Sequence, residues 1–285
     1  MSTNEASTSC GLVILNYFTA NLTEELCKII MQARLDIKLK IYIVDNSCSL
    51  QEWQRLQHFN VKFEDITIIR QNKNVGYGAG NHVGVKKAID DGCTGVIICN
   101  PDIQFDKPKI FEDFVKRIQL SLHSDAPALI AAPQVFNPYT NAEENPIYEP
   151  HFFTEIFGFN KSSAMFSFCG CFFFMNYKAL QAIELFPTDV FMYNEELIIG
   201  KKLQQNISDL LFIEDITVLH CHQKYFNNFR SEFLRKHHQI KSRLYVFRTY
   251  FSGGFVATLS LFILLWLRGF VTLFIKWFLT RISNI

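Results

Sequence analysis

The chain has 285 residues, is 49% hydrophobic and nearly neutral, with 28 Lys and Arg against 27 Asp and Glu, which is ample material for one large domain or two small ones. The neutrality conceals a division, because from Ile216 onward ten Lys and Arg accompany a single acidic residue, Glu232, and the preceding part is acidic. These basic residues interleave with and precede a strongly apolar stretch, a pattern that excludes a nucleic-acid footprint and points to a membrane surface.

The first nine residues are polar and lack the basic and apolar regions of a secretory signal, so a cytoplasmic location is expected. The eight cysteines have no paired metal spacing. Cys169-Gly-Cys171 lies among phenylalanines, and the set reads as buried thiols rather than disulfides or zinc ligands.

Gly11 to Leu15 predicts a first strand, followed by a helix that Asn21 or Thr23 can cap and whose Leu22, Leu26, Ile29, Ile30 and Ala33 keep helical spacing. Ile41 to Val44 and Ile66 to Ile69 predict two more strands. A glycine-rich turn then leads into a helix from about Ala79 to Asp90. Gly95 to Cys99 is a buried strand that must stop at Pro101, which has no N–H to continue a ladder. A helix near Pro108 to Leu122 and a strand at Ala128 to Ala132 complete a βαβα alternation, which predicts a mostly parallel, mixed sheet flanked by helices.

From 133 to 161 the pattern breaks into an irregular insertion of a length that tends to carry function. Phe166 to Met175 is β-prone, Tyr177 to Leu185 is a short helix, a second helix runs from Asn194 to about Gln205, and Leu210 to Leu219 supplies one or two strands. Phe229 to Tyr250 predicts a basic amphipathic helix. The uncharged stretch from Phe255 to Leu267 falls short of the roughly 20 residues that span a bilayer, so helices lying in the membrane interface are expected. The expected division is a catalytic domain over 1–228 and a membrane-associating helical region over 229–285.

Chemistry gathers at strand ends. Asn16-Tyr17, Asp45-Asn46 and the run from Arg70 to Asn74 each follow a strand. Together they offer the flat ring, carboxylate and amides that a nucleotide needs, although each alone suits a solvated turn. Asp102 follows in Asn100-Pro-Asp102, which alone suits an ordinary turn but also offers a hard oxygen ligand placed to hold a divalent cation against a phosphate. The glycines of Gly76-Tyr-Gly-Ala-Gly80 fail the spacing of the dinucleotide fingerprint, which leaves a close approach to a diphosphate or a tight turn. Glu195 and Glu196 open a helix after Asn194, where the dipole keeps a carboxylate ionised and ready to accept a proton. His220 and His222 share one strand face as one metal ligand, two, or simply a polar strand end.

In this order the motifs resemble a family 2 glycosyltransferase of the GT-A fold, over roughly Cys10 to Tyr250. Leu12-Val-Ile-Leu-Asn-Tyr17 is similar to its opening strand, Val44-Asp-Asn-Ser47 to its base-binding turn, and Asn72 to Asn81 to the following loop. Asn100-Pro-Asp102 resembles its Asp-x-Asp motif with Asn100 in place of the first aspartate. Phe191 to Glu196 resembles the segment ending in Glu-Asp, with Glu196 where Asp is usual. The nearest flavour is the rhamnosyltransferase-like branch that builds surface polysaccharides.

The resemblance implies Glu196 as catalytic base and Asp102 as ligand of Mg²⁺ or Mn²⁺, with His220 a secondary ligand or phosphate contact. It implies Asp45 on the nucleobase, with Asn16, Tyr17, Asn74, Gly76 and Asn100 completing the nucleotide-sugar site, and Gly170 and Glu195 on the acceptor side. The implied donor is a dTDP- or UDP-linked sugar such as L-rhamnose. The implied acceptor is a glycan or lipid-linked glycan at the inner membrane face, and a homo-oligomer is compatible with it. Two rival readings are a non-catalytic sugar-nucleotide-binding protein and a nucleotidyltransferase.

Overall fold

The computed structural model describes residues 9–60, 65–145, 147–148, 166–203, 210–222, 229–250 and 254–282. Strand β1 (Ser9–Asn16) leads through helix α1 (Ala20–Ile30) to β2 (Lys38–Asp45), and α2 (Leu50–Asn60) to β3 (Ile66–Arg70). Helix α3 (Tyr77–Asp90) precedes β4 (Gly95–Cys99), the two-residue β5 (Ile103–Gln104) and α4 (Pro108–Leu122). Then come β6 (Ile130–Asn137), β7 (Ala142–Glu143), β8 (Ile147–Tyr148), β9 (Phe166–Ser167), β10 (Phe172–Asn176) and α5 (Tyr177–Ala182). The chain closes with α6 (Glu195–Lys202), β11 (Leu210–His220), α7 (Phe229–Tyr250) and α8 (Phe255–Ile282).

The main sheet has the order β3-β2-β1-β4-β10-β6-β11-β5, with β7 beside β6, and β8 pairs with β9 separately. β1 runs parallel to β2 and β4, and β6 parallel to β11, while β10 is inserted antiparallel between β4 and β6. The sheet is therefore mixed, with a parallel half that carries the first four βα connections. Its central strands are apolar on both faces because each face meets helices. Leu12, Ile14, Ile97 and Phe172 pack into one core with α1 and α4, and Val13, Val96, Ile98 and Phe173 into another with α3 and α5.

Several local expectations give way. Helix α1 begins at Ala20, whose N–H is satisfied by Glu52 Oε2 of α2 at 3.0 Å, so neither Asn21 nor Thr23 caps it. The glycine-rich turn is already helical at Tyr77, two residues before the expected start. Gly76 has φ +88°, and a Cβ there would lie 2.1 Å from the Phe191 carbonyl oxygen. A Cβ at Gly78 would lie 2.3 Å from the Pro187 carbonyl oxygen. These two glycines admit the loop that leads to α6. Part of the 133–161 insertion is regular, since β6 runs on to Asn137 and pairs with β7; 149–161 lies outside the described residues.

Helix α7 seats on the segment before α6. The Ser242 hydroxyl donates to the Met192 carbonyl at 2.6 Å, the Tyr245 hydroxyl to Asp189 Oδ1 at 2.8 Å, and His238 stacks on Phe191 with centroids 4.6 Å apart. Helix α8 packs back on α7 through Trp266 against Phe233 and Gly269 against Ile240. Along its length it still leaves Phe255, Leu259, Phe262, Leu267, Phe270 and Phe274 at least two-fifths exposed. Among the described residues, no helix is long and apolar enough to cross a membrane.

Candidate active site

A cavity of about 850 Å³ opens at the carboxyl ends of β1 to β4 and is closed on its far side by α6, α7 and α8. Its wall includes Tyr17, Asn46, Asn74, Gly76, Tyr77, Asn100, Asp102, Gly170, Glu195, Glu196, His220 and His222, and the basic Lys236, Arg243 and Arg268. Nine of the eleven residues singled out in the sequence thus share one wall.

Asn16 and Asp45 are the exceptions, both fully buried behind it. The Asn16 amide is committed to bonds within the protein, to its own loop and to β2 and α2. Its Nδ2 donates to Asp45 Oδ1 and Glu52, and its Oδ1 accepts from Thr19 and Thr23. Tyr17, the next residue, is half exposed and lines the cavity. Asp45 Oδ1 is bound by Ser47 through both its N–H and its hydroxyl, whereas Oδ2 is buried with no partner. Sequence reasoning underrated Asn46. It donates to Asn74 Oδ1 at 3.0 Å and to the Gly76 carbonyl, and accepts from Val75 N–H, so it ties two loops into one rim.

Asp102 and the histidines meet because β5 pairs antiparallel with the end of β11, His220 standing opposite Ile103. Asp102 Oδ2 lies 3.5 Å from His220 Nε2 and 3.3 Å from His222 Nδ1, and the two imidazoles stack with centroids 5.7 Å apart. Burial alone would raise the Asp102 carboxyl, but hydrogen bonds from both histidines hold it well below the usual carboxylate range. Burial opposes charge on His220 too, yet Asp102 and Glu144 together push it up to about 10. Glu144, not anticipated from the sequence, contacts His220 Nδ1 at 2.5 Å.

The donor chemistry of this group suits a divalent cation. Asp102, His220 and His222 bring one ligand atom each within 4.8 Å of one another, and Asp102 Oδ1 is buried without a partner, a cost that a bound ion removes. Asn100 stands differently, its Oδ1 accepting from the Tyr77 hydroxyl at 3.1 Å. The same hydroxyl donates to the Gly170 carbonyl at 2.5 Å, so Tyr77 links the rim of β4 to the turn before β10. An aromatic residue directly after a left-handed glycine was the available signal.

Glu195 and Glu196 open α6 after Asn194, whose side chain makes no capping bond. Asn194 is left-handed at φ 68°, and Tyr193 before it is left-handed too at φ 72°. Two strained residues in succession fix where the acidic pair points, a pattern that clusters at functional sites. Glu195 is buried, and desolvation followed by the Glu196 charge pushes its carboxyl up to about 8. Glu196 faces Gly170, where an added Cβ would touch its Oε2 at 3.4 Å.

Comparison with known proteins gives this geometry a family. Residues 12–184 match the model for glycosyl transferase family 2. The low-salt glycan biosynthesis hexosyltransferase Agl10 of Haloferax volcanii is 28% identical over 128 residues, which is 45% of this chain and 36% of that protein. The matched segment therefore spans little more than a third of that relative's length. The mannosyltransferase PcManGT of Pyrobaculum calidifontis, solved with GDP-Man and Mn²⁺, aligns with TM-score 0.56 and 14% identity over 87% of this chain and 68% of its own. S. aureus TarS 1-349, solved with UDP, aligns with TM-score 0.55 and 11% identity over 80% and 64%. At such identities the two structures establish the shared GT-A fold and nothing finer. The family match runs from β1 through α5, across the strands whose carboxyl ends form one rim of the cavity, and by it the chain belongs to glycosyl transferase family 2.

Proposed function

We propose that the protein is an inverting glycosyltransferase that moves a sugar from a nucleoside diphosphate sugar to a hydroxyl of a glycan acceptor carried on a lipid. The observation that supports this most is the presence, in one cavity, of a carboxylate at a helix start, Glu196, and a cation-ligating group, Asp102 with His220 and His222. A binding protein needs no base beside its sugar site, and a nucleotidyltransferase needs a basic triphosphate loop after β1, where this chain has Asn16, Tyr17 and Phe18.

In this reading Tyr17 stacks on the nucleobase and the Asn46–Asn74 rim holds the ribose, while Asp45, buried behind the wall, holds the turn beside them through Ser47. Asp102, His220 and His222 hold Mn²⁺ or Mg²⁺, which when bound neutralises charge on the departing diphosphate. Glu196 takes the proton of the acceptor hydroxyl as that oxygen attacks the anomeric carbon from the side opposite the leaving group. Gly170, with no side chain, leaves space beside Glu196 for the acceptor. L-Rhamnose on dTDP or UDP is the first donor to test.

Glu196→Gln keeps the shape and removes the base, so transfer should fall by about 10²- to 10⁴-fold while donor affinity stays within a factor of two or so. Transfer measured with a labelled donor, beside donor binding by calorimetry, separates the readings. Unchanged transfer removes Glu196 as base, and binding with no transfer by either protein favours the non-catalytic alternative.

A further inference from the structure

Two thiols stand in the cavity wall without a part in this reaction, Cys169 and Cys171. Their Sγ atoms are 3.2 Å apart. The turn that carries them is held at each residue. Cys169 N–H donates to Asn145, itself buried and bonded to the Pro133 carbonyl; the Gly170 carbonyl accepts from Tyr77; and the Cys171 carbonyl accepts from Asn100 N–H at 2.8 Å. A turn fixed by three separate segments presents both sulfurs to one point with little ordering left to do on binding.

His220 supplies a third ligand atom within 4.8 Å of both sulfurs. Its neighbour Glu144 approaches Cys169 Sγ to 3.9 Å. Two sulfurs, an imidazole and a nearby carboxylate make a set for a thiophilic cation, whereas the carboxylate and imidazoles around Asp102 suit Mn²⁺ or Mg²⁺.

We infer that Cys169, Cys171 and His220 form a second metal site, selective for thiophilic cations such as Zn²⁺ and Cd²⁺, whose occupation withdraws His220 from the Asp102 centre. Each ligating thiol gives its proton to water, and each forms a sulfur–metal bond as a thiolate. A neutral imidazole offers one lone pair at a time. Once one ring nitrogen binds the thiophilic ion, the other carries the proton, so His220 has no lone pair left for the Asp102 centre. The thiophilic site stands on its own geometry; only its antagonism toward the Asp102 centre rests on the function proposed above.

The test titrates the reduced full-length protein with Cd²⁺, following the thiolate-to-cadmium absorption in the ultraviolet, and in parallel follows bound Mn²⁺ by electron paramagnetic resonance. One equivalent of Cd²⁺ should give the thiolate band, with affinity at least about tenfold weaker in Cys169→Ser and Cys171→Ser. Cys48→Ser, at an exposed cysteine elsewhere, should leave the band intact. Cadmium should release Mn²⁺ from the native protein and not from Cys169→Ser. No band in the native protein, or a band undiminished in both serine variants, overturns the site. If Cys171→Ser does not fold, Cys169→Ser decides, since Cys169 is only partly buried. A full band with Mn²⁺ retained overturns the antagonism alone, and a protein that gives the band but never binds Mn²⁺ counts against the proposed transfer chemistry instead.

Discussion

Glu195 holds a proton that an unfolded chain would surrender, because burial and the Glu196 charge push its carboxyl up to about 8. Its Oε1 is buried without a partner, in keeping with a neutral acid. The sign of the linkage follows: stability from this group is complete below the ordinary glutamate value of about 4.3 and is lost as pH rises through about 8. Melting temperature should therefore fall across that window, and Glu195→Gln, which mimics the neutral acid, should flatten the decline in a pH series of thermal melts. Beside it, one neutral and one charged carboxyl is an arrangement that lets Glu196 serve as base without a second adjacent charge. At Gly76 the constraint is steric. Gly76→Ala forces a Cβ to within 2.1 Å of the Phe191 carbonyl oxygen at φ +88°, and should cost at least about 2 kcal/mol in denaturant unfolding, through displacement of the loop before α6.

At the scale of elements, the pairing of β5 with the end of β11 brings Asp102, just before β5, to His220 and His222. His220→Ala should weaken Mn²⁺ binding at least about tenfold, read as free Mn²⁺ by electron paramagnetic resonance. How much of this was legible differs by element. Strands β1, β2, β3 and β4 are apolar runs bounded by polar loops, and the sequence alone locates them to within a few residues. So it does α4, whose Pro108 stands at the first turn. Helix α2 escaped notice because Trp53, Leu56 and Phe59 are few among Gln, Glu, Arg and His, and a single helical face of three residues leaves a weak pattern. The insertion of β10 between β4 and β6 has no local signature at all, since pairing partners are chosen by packing across the chain and not by the strand's own residues. The same reason hid Glu144 and Tyr77. Each acts through a residue 76 or 93 positions away.

The whole molecule joins an acidic body to a basic, apolar end. Helix α8 exposes Phe255, Val256, Leu259, Leu267, Val271 and Phe274, apolar side chains of the kind that mark an interaction site, while Lys236 and Arg243 of α7 and Arg268 of α8 line the cavity. This supports the proposal that α8 lies in a membrane interface and brings a lipid-borne acceptor to Glu196. Truncation after Tyr250 keeps α7 on its seat over Met192 and Asp189 and removes only α8. The shortened protein should remain folded and lose sedimentation with anionic vesicles, whereas undiminished sedimentation would assign the attachment elsewhere. Order of assembly has its own consequence. The rim of the cavity formed by Tyr17, Asn46, Asn74, Gly76 and Asn100 is encoded before residue 102, but Asp102 meets His220 and His222 only when β11 docks against β5, across more than a hundred residues of intervening chain. During synthesis the pocket rim can therefore form well ahead of its chemistry, and a chain stopped short of His220 would have no way to close the centre.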